Sequence, residues 1–268
     1  MELTFGQAQV YTSARMKDNP ALAKLFNKVF GYTNIGNYAR FTIFKKLMKE
    51  IPLSDKSEIL DLGTGYGEYA ISLAEANPSA IIHALDIDQE RINSVDEALS
   101  QAEIRNVRTT SKHLEETAIC ELDFVFSIDV FEHILPEEMP FSTVREKLKT
   151  GGYFMVKIPN KDQSTIFPEK YFEEHQDWLE DEHIGQVYDL AGLKTRFENE
   201  GFEIVHASYS DGILSRFAWE MAYLGKKAGT FTQLLTLPFA KALIHLDRLL
   251  HSGKKGNAIQ VIGKKVHS

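Results

Sequence analysis

Apolar positions change period along the 268-residue chain, and the changes mark out its elements. Between Ser57 and Pro159, short strand-like runs alternate with amphipathic stretches. The runs are EILDL (Glu58 to Leu62), AIIHAL (Ala80 to Leu85), VRTT (Val107 to Thr110), LDFVFSI (Leu122 to Ile128) and YFMVKI (Tyr153 to Ile158). Between them, Ala70, Leu73 and Ala74, then Ile92, Val95, Ala98 and Leu99, recur at helical spacing. This alternation predicts a parallel sheet covered by helices, with right-handed crossovers and a ligand crevice at the carboxyl ends of the strands where strand order reverses.

Beyond residue 185, Leu190, Leu193 and Phe197 mark another amphipathic helix, begun by Asp189 as N-cap and stopped at Gly201. The strand FEIVHAS follows. A last strand-like run, AIQVIGKKV (Ala258 to Val266), has no helical connection in the usual rhythm and suits an antiparallel final strand. The expected organisation is one domain over 1–268. A helical, aromatic N-terminal cap occupies 1–52, the core takes 53–210 and 257–268, and an apolar helical insertion occupies 211–256. An acidic aromatic segment at 161–184, with Phe167, Tyr171, Phe172, His175 and Trp178, reads as a lid over a substrate, since long loops in compact domains are often functional.

Hydrophobic residues at 43% and charged residues at 25% fit a soluble globular chain, and no apolar run is long enough for a membrane span. The N-terminus lacks a signal-peptide pattern, so a cytoplasmic location is expected. A net charge of −8 offers no footprint for a nucleic-acid backbone, so nucleic acid is not expected as partner. The single cysteine, Cys120, excludes an intramolecular disulfide and cysteine-cluster metal sites, and reads as inert and buried.

The densest chemical signal is ILDLGTGYGEYA, Ile59 to Ala70. Gly63, Gly65 and Gly67 occupy a strand-to-helix turn, where bare backbone lets a ligand lie against amides near a helix N-terminus. A dinucleotide turn reads G-x-G-x-x-G; here the pattern is D-x-G-x-G-x-G. Asp86, in HALDID at the end of the second strand, can accept hydrogen bonds from both hydroxyls of a ribose.

With the later LKTGGYFMVKIPN, these motifs resemble those of the class I S-adenosylmethionine-dependent methyltransferases, over roughly Ser57 to Val266. The resemblance implies an α/β, Rossmann-like, seven-stranded sheet with an antiparallel last strand. It also implies S-adenosyl-L-methionine as cofactor, with Asp61, Gly63, Thr64, Gly65 and Gly67 around its amino-acid end and Asp86 on its ribose. Ser127, in the fourth-strand motif, belongs to the same set. Relatives often carry an acid for the adenine amino group after the third strand. This chain has Ser111, Lys112, His113 and Leu114 there, so adenine is expected to be held by backbone groups and by Ile87 or Leu114.

Methyl transfer from a sulfonium needs alignment and a nucleophile freed of its proton. The stretch SIDVFEHI leaves the fourth strand with Asp129, Glu132 and His133 at i, i+3 and i+4, which a helical start would place on one face. With His183 fifty positions on, this resembles the E-x-x-E-H plus His pattern of ubiquinone O-methyltransferases and of metal-dependent small-RNA end methyltransferases. Three uses stay open: a divalent metal held by Asp129, Glu132, His133 and His183; His133, His183 or Asp129 as catalytic residues; or plain pocket structure. Arg15 and Arg40 could reach a carboxylate of cofactor or substrate, although solvated helix-face charges are the simpler reading.

The insertion contains GILSRFAWEMAYLGKKAG and FTQLLTLPFAKALIHLDRLL, the second interrupted by Pro238, with Lys226, Lys227, Lys254 and Lys255 flanking. It reads either as a hairpin covering the sheet edge or making a homodimer, or as a contact for a lipid-like substrate or a membrane surface. The function expected is O-methylation of a small or lipid-linked metabolite. The alternatives are a cofactor-binding subunit that needs a partner for activity and a nicotinamide-dependent oxidoreductase.

Overall fold

The computed structural model describes residues 2–12, 19–173 and 182–267. Seven strands form one sheet: β1 (Glu58–Leu62), β2 (Ile81–Leu85), β3 (Val107–Thr110), β4 (Leu122–Ile128), β5 (Leu148–Pro159), β6 (Phe202–Ser210) and β7 (Ala258–Lys265). Their order is β3-β2-β1-β4-β5-β7-β6. Pairing is parallel from β3 to β5, while β7 runs antiparallel between β5 and β6. The chain moves outward from β1 to β3 and then crosses to β4 on the other side of β1. This reversal opens a crevice at the carboxyl ends of β1 and β4.

The central strands read as continuous apolar runs because both faces of the sheet are covered. Leu60, Val125, Phe154, Val156 and Val261 point to one core with Phe131, Phe141, Leu193 and Phe197. Their sequence neighbours Ile59, Phe124, Phe126, Met155 and Ile262 point to the opposite core with Phe44, Leu47, Leu73 and Ala74. The first face is covered by α6 (Phe141–Lys147) and α7 (Leu190–Asn199), the second by α3 (Ile35–Leu47) and α4 (Glu68–Ala76). At ~1.5–3 kcal/mol for each fully buried large apolar side chain, these two layers supply the main drive for folding. On the far edge, α1 (Gln7–Thr12) packs Ala8, Val10 and Tyr11 against α4 and α5 (Gln89–Gln101).

The insertion folds as two antiparallel-packed helices, α8 (Ile213–Ala228) and α9 (Thr230–Leu250). Two expectations change here. Pro238 does not interrupt the second helix, which runs through it as one element of 21 residues. The hairpin's apolar contact is made with α3, through Ile35, Ala39, Ala218, Leu237, Ala240 and Ile244, rather than by covering the sheet edge. Cys120 is exposed, not buried, because it lies in the loop leading into β4.

The segment after β5 is also anchored on the hairpin. The buried Glu220 of α8 accepts the backbone N–H groups of Ile166 and Phe167, and Phe172 is buried beside Trp219 and Tyr223. His175, Trp178 and Arg15 lie outside the described residues.

Candidate active site

A cavity of about 1020 Å³ opens at the carboxyl ends of β1, β2 and β4. Its floor is the glycine turn, with Asp61, Gly63, Thr64 and Gly65 lining it, and Asp86 and Ile87 follow from the end of β2. The roof belongs to the N-terminal cap, which contributes Gln9, Tyr32, Asn37 and Arg40. Glu68, at the start of α4, ties roof to floor by accepting from the backbone N–H groups of Gly6 and Gln9.

Each glycine of the turn has its own reason. Gly63 adopts φ +82, and a Cβ there would meet Val130 at 2.4 Å, so the loop after β4 closes on the turn only over bare backbone. A Cβ at Gly65 would meet no atom within 4 Å, so that side of the turn faces open space. Gly67 does not line the cavity; it lets α4 approach Val95 of α5. Ser127 is likewise structural: its buried hydroxyl donates to the carbonyl of Leu62 at 3.0 Å, joining the ends of β4 and β1. Leu114 turns into the core, 3% exposed, so it cannot stack on a ligand as expected. Its neighbours His113 and Glu115 line the cavity instead.

The two acids of this half differ in task. Asp86 accepts from the N–H of Gly65 at 2.8 Å and of Asp88 at 3.0 Å, so it holds the turn in shape while facing the cavity. Burial pushes Asp61 up to about 7, against the lowering hydrogen bond from the Thr64 hydroxyl, and the nearby Asp86 adds to the rise. A carboxylate so poised gains from a cation placed beside it.

At the other end of the cavity, the chain leaves β4 through Asp129, whose φ of +52 lies in the left-handed region that Asp tolerates better than most residues. A 3-10 turn over Phe131–His133 follows in place of the expected α-helical start. Asp129 is thereby left out of the group that Glu132 and His133 form with His183. It pairs with Arg40 from the roof and with the buried Lys157 of β5 at 2.9 Å. Burial opposes its charge, yet Lys157 and Arg40 outweigh this and hold its pKa below the ordinary value. Asp129 is thus committed to two cationic partners, where the sequence offers it as a catalytic residue or metal ligand. Arg40 is part of the cavity wall rather than a solvated helix-face charge.

The pairing continues away from the cavity. Lys157 also lies 4.0 Å from Asp211, after β6, and Asp211 pairs with Arg248 of α9 at 2.8 Å. The ion-pair chain thus runs from the cavity into the hairpin. A lysine within the apolar run YFMVKI was the available signal, because a buried ammonium requires a carboxylate.

Glu132, His133 and His183 do come together: one ligand atom from each lies within 4.8 Å of the others. Only His133 of the three lines the cavity. Its Nδ1 bonds the carbonyl of Glu182 at 2.8 Å, and a carbonyl only accepts, so in the neutral ring Nδ1 carries the proton and Nε2 is the basic nitrogen. Glu132 is 1% exposed, its Oε2 has no hydrogen-bond partner among the described residues, and burial, with Asp129 close by, pushes it up to about 8. Burial lowers the pKa of His183, whose Nδ1 is 2.6 Å from Gln186 Oε1.

Gly185 makes this cluster possible, and sequence reasoning missed it. Its N–H donates to the carbonyl of Glu132 at 2.7 Å, and a Cβ would stand 2.0 Å from the carbonyl oxygen of Ile134. The backbone carrying His183 can reach the turn carrying His133 only at a residue without a side chain.

Comparison with known proteins agrees with this geometry. Residues 37–207 match the family model described as "Methyltransferase domain". Ribosomal RNA small subunit methyltransferase G of Lachnoclostridium phytofermentans is 30% identical over 111 residues, 41% of this chain and 46% of that protein, so the match spans less than half the relative's length. Among solved structures, phosphoethanolamine N-methyltransferase 2 of Haemonchus contortus, in complex with S-adenosyl-L-methionine, superposes with a TM-score of 0.62 at 16% identity, covering 98% of this chain and 61% of that one. A cyclopropane synthase from Mycobacterium tuberculosis gives 0.55 at 15% identity, with 84% of each chain covered. The sheet order, the antiparallel last strand, the glycine turn with its two acids and the family match converge on one assignment: this chain belongs to the class I S-adenosylmethionine-dependent methyltransferases.

Proposed function

We propose that the enzyme transfers the methyl group to an oxygen of a small or lipid-linked metabolite, with His133 as the proton acceptor. The observation that carries this reading is the placement of His133 on the cavity wall, with Nε2 basic and Glu132 and His183 packed behind it. An unionised hydroxyl is a poor nucleophile and must lose its proton as the new bond forms, whereas a neutral amine already carries its lone pair. An imidazole whose Nε2 carries a lone pair can accept that proton.

In this reading the cofactor occupies the floor half. Thr64 and Gly65 present backbone to its amino-acid end, the Asp61 carboxylate offsets its ammonium, Asp86 accepts from the ribose hydroxyls, and Ile87 and His113 flank the adenine. S-adenosyl-L-methionine supplies an electrophilic methyl on a sulfonium, whose positive charge disappears in the displacement. The protein's part is to align acceptor oxygen, methyl carbon and sulfur and to take the acceptor's proton at His133 Nε2. Arg40, held over the cavity by Asp129, orients an anionic group of the cofactor or acceptor.

A second reading has its own observation. One carboxylate and two imidazoles with donor atoms within 4.8 Å, and an unpartnered buried carboxylate oxygen on Glu132, fit manganese, iron or zinc better than magnesium. Glu132, His133 and His183 would hold such an ion, which would anchor and acidify an acceptor hydroxyl. Asp129, committed to Arg40 and Lys157, would not join them.

The test is S-adenosylhomocysteine release from the purified chain with acceptor panels of hydroxyls, amines and RNA, each with and without chelator. Turnover confined to hydroxyl compounds supports the proposal, and loss under chelator restored by manganese selects the metal reading. Turnover only on amines or RNA sinks it. Silence across every panel, with the cofactor bound, would favour a subunit that requires a partner; the family assignment removes the nicotinamide alternative.

A further inference from the structure

Besides the stripe of Leu237, Ala240 and Ile244 that packs on α3, α9 is apolar on its outward side, unlike an ordinary solvent-facing helix. All three of its fully charged side chains are engaged with the protein. Lys241 donates to the carbonyl of Phe30, Asp247 is buried and accepts from Gly212 N–H and the Ser215 hydroxyl, and Arg248 binds Asp211 and the carbonyl of Ala39. The large side chains exposed on the outward side of α9 are Phe231, Leu235, Phe239, Leu246, Leu249 and Leu250, with Phe231 80% and Leu249 82% exposed, beside the exposed Pro238, Ala242 and His245. They recur at helical spacing over the whole of a helix about 30 Å long. A helix normally turns its apolar stripe to the core and its charges to water. Here a second apolar face is turned outward, and an apolar patch of this extent marks a contact surface.

A second helix extends the patch. On α2 (Pro20–Phe30), Leu22, Leu25 and Val29 are exposed at i, i+3 and i+7, beside the exposed Lys24 and Lys28. The Lys241 bond to Phe30 fixes the end of this helix against the middle of α9. Exposed lysine pairs bracket α9, with Lys226 and Lys227 just before it and Lys254 and Lys255 just after it. The rim of the patch is thus basic in a chain whose net charge is −8.

We infer that the outward faces of α9 and α2 form a docking surface for the interface of an anionic lipid bilayer, the helices lying in its plane. The charge pattern selects this occupant. A second copy packed through α9 in either direction would bring lysine pairs at the ends of one helix against lysine pairs of the other, whereas anionic headgroups complement both ends at once. Apolar side chains entering the acyl boundary and lysines reaching up to headgroups are the two parts of an interfacial helix. No helix among the described residues is long and apolar enough to cross a membrane, so the contact is peripheral. The inference goes beyond the methyl acceptor and does not depend on its identity.

The experiment is vesicle flotation of the full chain, with vesicles of phosphatidylcholine alone and of phosphatidylcholine and phosphatidylglycerol in equal parts, alongside sedimentation velocity without lipid. The expected result is flotation with anionic vesicles, weakening as salt screens the lysines. A Phe231→Ser, Phe239→Ser, Leu249→Ser variant should lose it by about tenfold or more. A Lys226→Glu, Lys227→Glu, Lys254→Glu, Lys255→Glu variant should lose the preference for anionic lipid. Both variants change exposed side chains, and S-adenosylhomocysteine binding reports that the fold is intact. Failure of the wild-type chain to float overturns the proposal, as does flotation unaltered in the serine variant. A wild-type dimer that the serine substitutions convert to monomer would assign the face to a second copy and overturn it equally.

Discussion

The two halves of the cavity are built by opposite strategies. The floor is local: Asp61, Thr64 and Gly65 lie within five consecutive positions, and Asp86 closes the set one strand later. The end proposed to receive the acceptor is assembled from afar. His133 and Glu132 leave β4, His183 arrives fifty positions later over Gly185, and Arg40 comes from the N-terminal cap. A group common to every member of the family can be met by a short fixed motif. An acceptor that differs between members calls for a wall whose pieces vary independently.

That contrast predicts separable defects. The largest effect is expected from His133→Ala, which should lower kcat by about 10²–10⁴-fold while leaving the Kd for S-adenosylhomocysteine unchanged. Steady-state kinetics beside calorimetry reads both; a lost cofactor site would erase the distinction between the halves.

Asp61 should disclose the floor through pH. Its folded pKa of about 7 is raised above the ordinary 3.8, so the associated stability is present below about pH 4 and lost as pH rises through 7. At ~1.4 kcal/mol per pKa unit, the loss is on the order of a few kcal/mol. Apo-protein Tm followed against pH should show this slope, and Asp61→Asn should flatten it. Because the ionised carboxylate is the form that receives an ammonium group, affinity for S-adenosylmethionine should rise with pH through the same range. A pH-independent affinity would remove Asp61 from the site.

Asp86→Ala should weaken S-adenosylhomocysteine by roughly 100-fold, the loss of two hydrogen bonds to a charged acceptor. Its loop bonds to Gly65 and Asp88 make a modest fall in Tm the expected companion.

The smallest effect sharpens the other half. Gly185→Ala forces a Cβ against the carbonyl of Ile134 and should displace His183, costing ~1–3 kcal/mol of stability and reducing kcat with cofactor affinity intact. An unaltered kcat in a folded variant would show that the position of His183 does not matter to the reaction.

The same contrast governs what the sequence disclosed. Strand runs, the antiparallel β7 and the glycine turn are visible because each is set by neighbours in the chain. Leu114 and Asp129 misled for a common reason: spacing alone does not say which way a loop turns. His113 and Glu115 face the cavity while Leu114 faces the core, and a left-handed residue at 129 breaks the helical geometry on which the i, i+3, i+4 grouping rested. Arg40 could not be placed because its partner, Asp129, belongs to a distant element of the chain. Two signals were present and unread: Lys157 inside an apolar strand, and Gly185 two residues after a candidate histidine. The lysine requires a buried acid, and the glycine allows two backbones to touch.

The most direct test of a cavity with an autonomous cofactor half is a calorimetric titration of S-adenosylhomocysteine into the wild-type chain, Asp86→Ala and His133→Ala under one buffer. Binding to wild type, binding of equal strength to His133→Ala, and a roughly 100-fold loss in Asp86→Ala are expected. Equal weakening in both variants, or none in Asp86→Ala, would show that the cofactor half is not autonomous.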